Sequence, residues 1–215
     1  MTLHSRTYRS RRSAGLAASL ALALVIAAAM PALAQTWAET GDAGDVVATA
    51  QSTAGAGALT QITGALQFDS DVDLFCVDVT DPHAFSASLQ CLMAADPSIW
   101  VFAPSGLGLA HNDVCMFSGK TIPPGFVGSG TCYIAVTQAG RQAYSAGGAM
   151  WQSFLFTGAR APDGPGAGGT LLSWSGGGPL PGVTPYTINL TGAGFCEAAV
   201  PAQEWNWGSF KAIYR

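Results

Sequence analysis

Three carboxylates at alternate positions, Asp69, Asp71 and Asp73 in the run DSDVD, are the densest chemistry in this sequence. Side chains so spaced can converge on one hard cation that takes about six to eight oxygens, and calcium is the cofactor such a set would hold. The run is not an EF-hand loop, because Leu74 and Thr80 stand where that loop needs its Gly and its Glu. Asp42 and Asp45 in GDAGD, together with Asp113, would complete the shell if their segments folded beside the turn. Ten acids and no Lys or Arg lie between Gln35 and Gly119, so no nearby base neutralises them. The competing reading gives the same aspartates to backbone N–H groups in tight turns.

Other candidates are poorer. A Ser/His/Asp hydrolase needs a histidine. Beyond residue 34 the chain offers only His83, beside a turn proline, and His111, read as a solvated strand-end residue near Asp113. Ser173-Trp174-Ser175-Gly176 lacks the first glycine of a nucleophile elbow. Glu39, Glu197 and Glu204 lie outside the strands that would hold a glycosidase pair rigidly. No catalytic residue is assigned. Of the six tryptophans, Trp100 and Trp151 fall inside strands and read as core, whereas Trp174, in a Gly-rich loop, is the candidate for stacking on a sugar.

The elements that position these residues follow from the composition. Residues 1–34 carry four of the nine cationic residues and no acid. A basic start, the apolar run 14–29 and the small residues PALA before Gln35 make a secretory signal peptide cleaved after Ala34. The remaining 181 residues hold 13 acids and 5 bases, a net charge of −8. A surface so acidic repels phosphate backbones and anionic lipid, which excludes nucleic acid as a partner. No second apolar stretch approaches the roughly 20 residues of a membrane span, so none is expected after processing.

From Gln61 onward, short β-branched and aromatic runs are broken by Gly, Pro, Asp and Ser about every ten residues, the pattern of an all-β sandwich. Strands are expected over 60–67, 72–80, 85–93, 98–103, 107–111, 130–138, 151–157 and 185–191. Residues 35–59 read as an extended leading segment and 60–194 as a single antiparallel sandwich. A long Gly/Pro-rich loop spans 159–183, with one short strand near Leu171–Trp174. Five cysteines follow the signal, and outside the cytoplasm they read as disulfides first. If the apolar sets of the two strands share the core face, Cys76 and Cys91 point to opposite sides of their hairpin and cannot bond without a bulge. Cys132 lies on an inward face and Cys115 in the loop leading to it, which favours Cys115–Cys132 over Cys91–Cys115.

In order and spacing, Glu39–Asp45 (ETGDAGD), Ala48–Gln51, Ile62–Leu66 (ITGAL), Asp71–Phe75 (DVDLF), Ile99–Gly106 (IWVFAPSG), Asn112-Asp113, Gly130–Val136 (GTCYIAV) and Tyr186–Leu190 (YTINL) resemble the bacterial pre-peptidase C-terminal domain. The likeness is closer to stand-alone secreted versions with a Trp-containing stretch, here Leu171–Gly176, and an LTGA ending, here Leu190–Ala193. It implies a jelly-roll-like sandwich that is not itself an enzyme, and in some members calcium binding or adhesion to extracellular polymers. Many stand-alone relatives end in a PEP-CTERM sorting tail. Here Val200-Pro201-Ala202-Gln203 is followed by EWNWGSFKAIYR and no membrane helix.

That 195–215 tail places Trp207, Phe210 and Tyr214 at i, i+3 and i+7, which a short C-terminal helix would gather on one side. With Lys211 nearby it reads as a recognition segment or as a stripe docked on the sandwich. Taken together, the sequence points to a secreted, non-catalytic module of the periplasmic, extracellular or cell-surface layer. Its partner would be an extracellular polymer or a cell-surface protein. A carbohydrate- or protein-binding adhesin and a hydrolase with an unfamiliar site are the alternatives.

Overall fold

Alternation along each strand decides what it buries, and two strands here are buried on both faces. The computed structural model describes residues 35–90, 96–113, 119–152, 158–179 and 182–198. Every regular element among them is a β-strand. The leading segment supplies β1 (Gln35–Ala38), β2 (Gln51–Ser52) and β3 (Ala54–Gly55). The sandwich follows with β4 (Leu59–Leu66), β5 (Val72–Val79), β6 (Ser86–Leu89), β7 (Ser98–Phe102), β8 (Gly108–Asn112), β9 (Lys120–Ile122) and β10 (Gly130–Thr137). Then come β11 (Arg141–Ser145), β12 (Gly148–Ala149), β13 (Ser173–Gly176), β14 (Thr184–Thr191), β15 (Ala193–Phe195) and β16 (Glu197–Ala198).

One sheet runs β1-β4-β14-β6-β9 and the other β15-β5-β10-β7-β8, with β2 also on β5. Between them lie Leu59, Ile62 and Leu66 of β4, Phe75, Val77 and Val79 of β5, and Ile188 and Leu190 of β14. The reverse side of the second sheet carries a second apolar layer. Val72, Leu74, Trp100, Phe102 and Ala135 pack there against Ala143, Met150, Trp151 and Leu171. Strands covered on both faces read as near-continuous apolar runs, as SIWVF does. The cover is the small sheet β12-β11-β13 with the loop that precedes β13. Gly164 and Gly166 let that loop lie directly on the backbone of residues 148–151, where any Cβ would collide.

Three expectations need correction or limits. The sheets are mixed rather than antiparallel, since β1 runs parallel to β4, β2 to β5 and β16 to β3. All three parallel pairs use short strands from the leading segment or the end of the described chain. These reach the sheets by long connections, which parallel pairing requires. The expected strand 151–157 shows no strand at Trp151 or Gln152, and the rest of it lies outside the described residues, as does the tail 199–215.

The cysteine expectation is also corrected. Cys76 bonds Cys196, with Cα atoms 5.5 Å apart, and Cys132 is a free, buried thiol rather than the partner of Cys115. Cys132 packs among the core residues between the sheets, whereas Cys76 alternates with Phe75 and Val77 and so faces away from that core. Cys91 and Cys115 lie outside the described residues.

Candidate acidic site

The turn between β4 and β5 passes from one sheet to the other, which is why its acids reach both. The Asp71 N–H donates to the Phe68 carbonyl at 2.9 Å, and the Asp71 carboxylate accepts the Gln67 N–H. Asp71 and Asp73 flank Val72 and therefore share the inward face. Asp73 Oδ2 accepts the Tyr186 hydroxyl at 2.6 Å, a bond from β5 to β14 that ties the two sheets together. The leading segment closes the site. The Leu74 N–H donates to the Gly44 carbonyl at 3.0 Å, and Asp42 accepts the Gly44 N–H at 2.8 Å. One oxygen from each of Asp42, Asp71 and Asp73 lies within 4.8 Å of the others.

Glu39 extends the cluster. Its Oε2 accepts the Ala65 N–H at 2.9 Å, while its Oε1 is buried with no hydrogen-bond partner. The Tyr186 hydroxyl and the Glu39 carboxylate both occupy the space a Cβ on residue 64 would take, so Gly64 is required there.

Burial pushes the Asp73 carboxyl up to about 8; the Tyr186 bond opposes this, and the neighbouring charges of Glu39 and Asp71 add to it. Burial also raises Asp71, and the nearby Asp42 adds to it. The absence of a neutralising base in the local sequence is made good by tertiary structure, because Arg141 of β11 stands beside Asp71 and Asp45. Burial lowers the guanidinium's pKa, and those two carboxylates oppose that shift.

The sequence-derived ligand set is only partly assembled. Asp69, Asp45 and Asp113 do not belong to the three-oxygen group. Asp69 offers its carbonyl to Arg141 at 3.4 Å, and the Asp45 carbonyl accepts the Trp174 indole N–H at 2.6 Å. Asp113 accepts Lys120 Nζ at 3.3 Å and the Ser98 hydroxyl, in a separate ion-pair group with Asp96. Arg141 was missed because nothing local links it to the acids. Its signal was scarcity, as one of five bases beyond residue 34.

The remaining candidates are occupied by packing. His111 is 3% exposed rather than solvated, because β8 is covered on its outer side. Its ring stacks on Trp100 with centroids 3.5 Å apart, and neither nitrogen has a partner. Burial lowers its pKa to about 2, and the charges of Arg160 and Lys120 add to that. Burial pushes the Cys132 thiol up to about 12, so it is no nucleophile. Trp174 packs edge-on against Trp100 and Phe102 at 5.3 and 5.9 Å, which makes it part of the second layer's rim. Trp207, Phe210, Lys211 and Tyr214 lie outside the described residues.

These shifts set a pH dependence. The Asp73 carboxyl holds its proton more tightly in the folded chain than at the ordinary 3.8, so its contribution is complete below about pH 4 and is lost as pH rises to about 8. Buried His111 acts oppositely, since the unfolded chain takes up a proton below about 6.5 that the folded chain refuses. The two oppose each other between pH 4 and 6.5, and above that the histidine no longer opposes the Asp73 carboxyl. Urea midpoints should therefore fall from pH 6.5 to 8. Asp73→Asn, which keeps an acceptor for Tyr186, should flatten that slope; an unaltered slope would show that another group sets it.

Fold and site together define an all-β, disulfide-bridged, sandwich-like protein with buried carboxylates at one end. No protein-family profile matches the chain, and no curated protein matches it. Among solved structures it is similar to Aeromonas hydrophila PliG, a periplasmic lysozyme inhibitor of g-type lysozyme. The TM-score is 0.30 at 11% identity, covering 73% of this chain and 96% of that one. A likeness at that level carries no argument about function.

Proposed function

We propose that this chain is an exported, non-catalytic β-sandwich module of the periplasmic, extracellular or cell-surface layer, acting through an extracellular polymer or a cell-surface protein. The observation that carries this reading is the Cys76–Cys196 bridge, because disulfides persist in oxidising compartments and are rare in the cytosol. The basic, apolar and small-residue order of residues 1–34 supports the same destination, as does the resemblance to the pre-peptidase C-terminal domain. Among the described residues, no helix is long and apolar enough to cross a membrane. A non-catalytic role is favoured by the commitment of His111 to a tryptophan stack and of Cys132 to the core.

Protein recovered from outside the cytoplasm should begin at Gln35 and yield a Cys76–Cys196 peptide pair on non-reducing mapping. Retention of residues 1–34, or free thiols at both positions, would overturn the reading.

Calcium is the proposed cofactor, held by Asp42, Asp71 and Asp73. The fit is supported by the unpartnered buried Glu39 Oε1 and by the charges of Glu39 and Asp71, which add to burial in raising Asp73 and which a divalent cation would offset. Binding to the native state alone adds about 2.7 kcal/mol at a hundredfold excess over Kd. Millimolar calcium should raise the melting midpoint and EDTA reverse it, with both effects lost in Asp71→Asn. A midpoint unmoved by either would leave these aspartates as turn residues.

A further inference from the structure

Among the described residues, Lys120 is the one Lys or Arg that is fully buried. It opens β9 at the edge of one sheet. Asp96, two residues before β7, and Asp113, just after β8, come to it from the other sheet. The Lys120 ammonium donates to the Asp96 carbonyl at 2.9 Å. The same Nζ lies 2.9 Å from Asp96 Oδ1 and 3.3 Å from Asp113 Oδ1. The Ser98 hydroxyl also donates to the Asp113 carboxylate.

Two features set this group apart from an ordinary ion pair. Asp96 Oδ1 is buried without a hydrogen-bond partner although Nζ is 2.9 Å away. The amine thus stands against the carboxyl without being hydrogen-bonded to that oxygen. Asp96 also has φ +40°, the one positive value at a residue other than glycine among those described. Pro97 follows it, and a residue before proline favours extended backbone. Such a conformation persists only where the surroundings hold it, and here it keeps the Asp96 carboxyl on the amine.

We propose that Lys120 and Asp96 condense into an intramolecular isopeptide bond, with Asp113 carrying the protons. Asp113 takes a proton from the Lys120 ammonium, and the freed nitrogen pair attacks Asp96 Cγ. A second proton passes from that nitrogen through Asp113 to the departing oxygen. The C–O bond breaks, one water leaves, and a neutral amide replaces one ammonium and one carboxylate, with Asp113 unchanged. Groups held in contact react as if at effective concentrations of about 10⁵ M or more. Removing two opposite charges from a buried pair also removes the cost of keeping them from water. The Asp96 side chain is 46% exposed although Oδ1 is buried, so the departing water has a way out. Asp113 suits the carrier's role because its Oδ1 already accepts from both Lys120 and Ser98. Pro97 has no N–H, so the Asp96 carboxyl cannot be consumed by ring closure onto the following amide. The bond ties β9 to the entry of β7, and so one sheet to the other, independently of the disulfide.

The test is the intact mass of the folded, processed chain after reduction of its disulfide, followed by peptide mapping. The mass should fall short of the sequence by one water, and digestion should release a branched peptide joining Lys120 to Asp96. Asp113→Asn, which keeps an acceptor for the Ser98 hydroxyl, should restore the full mass, as should Lys120→Arg, which keeps the charge. If Lys120→Arg does not fold, Asp113→Asn carries the comparison. Full mass in the unaltered chain would mean that the three residues form an ion pair only, and would overturn the proposal. So would a water lost without the Lys120–Asp96 branch, or a branch that Asp113→Asn leaves intact. None of these outcomes bears on the compartment, which is read from the N-terminus and the disulfide.

Discussion

Joint replacement of Cys76 and Cys196 by Ala lowers the unfolding free energy by about 5 kcal/mol at 25 °C. The bridge spans a sequence separation of 120 residues, and the loop-closure entropy it removes from the unfolded chain has about that value in the chain-entropy account. For a chain of this length the melting midpoint should fall by about 10 to 20 °C. The damage should begin locally. The Cys196 N–H donates to Thr53 Oγ1 at 3.0 Å, and the Thr53 hydroxyl donates to the Cys76 carbonyl at 2.8 Å. Without the bridge, these bonds and the short strands β15 and β16 must hold the end of the described chain. Calorimetry with and without reductant measures the loss, and hydrogen exchange over residues 193–198 locates it. A midpoint unchanged by reduction would mean that the unfolded chain is already constrained or that the native bridge is not formed.

Trp100→Ala should destabilise by about 3 to 5 kcal/mol, the range for emptying an aromatic site in a core. Trp100 is fully buried, touches Trp151 and Trp174 edge-on at 5.2 and 5.3 Å, and donates its indole N–H to Thr137 Oγ1 at 2.9 Å. Truncation opens a void in the second layer and strips a partner from a buried hydroxyl. Trp100→Phe keeps most of the ring and should recover more than half of the loss. Because the second layer is what fixes β11 and β13 to the sandwich, limited proteolysis of Trp100→Ala should cut within residues 141–176 first. Cleavage spread evenly over the chain would show that the two layers unfold as one.

Much of this architecture is written in local pattern. The alternation of Ile62 with Gly64 and Leu66, of Phe75 with Val77 and Val79, and of Ile188 with Leu190 states which face is buried, because the side-chain period of a strand is fixed by backbone geometry. Strands β4, β5, β7, β8, β10 and β14 therefore fall within a residue or two of expectation. Turn chemistry is equally local: Asp81 accepts the His83 N–H at 3.0 Å across the Asp81-Pro82 turn. The alternation that set Cys76 away from the core likewise leaves it free to bond Cys196, which directly follows the edge strand β15 paired with β5. The acidic turn was legible too, as a motif if not as a site.

What tertiary structure alone decided are the relations between distant segments. The partner of Cys76, the layer that buries His111, the convergence of Asp42 on Asp71 and Asp73, and the approach of Arg141 each join residues whose separation leaves no periodic trace. The short strands of the leading segment are equally silent, since two to four residues cannot establish a period and their hydrogen bonds exist only where a sheet edge receives them. Periodicity records which face of a strand avoids water; which element covers that face depends on how the whole chain closes its loops and fills its cores at once, and no window of sequence contains that sum.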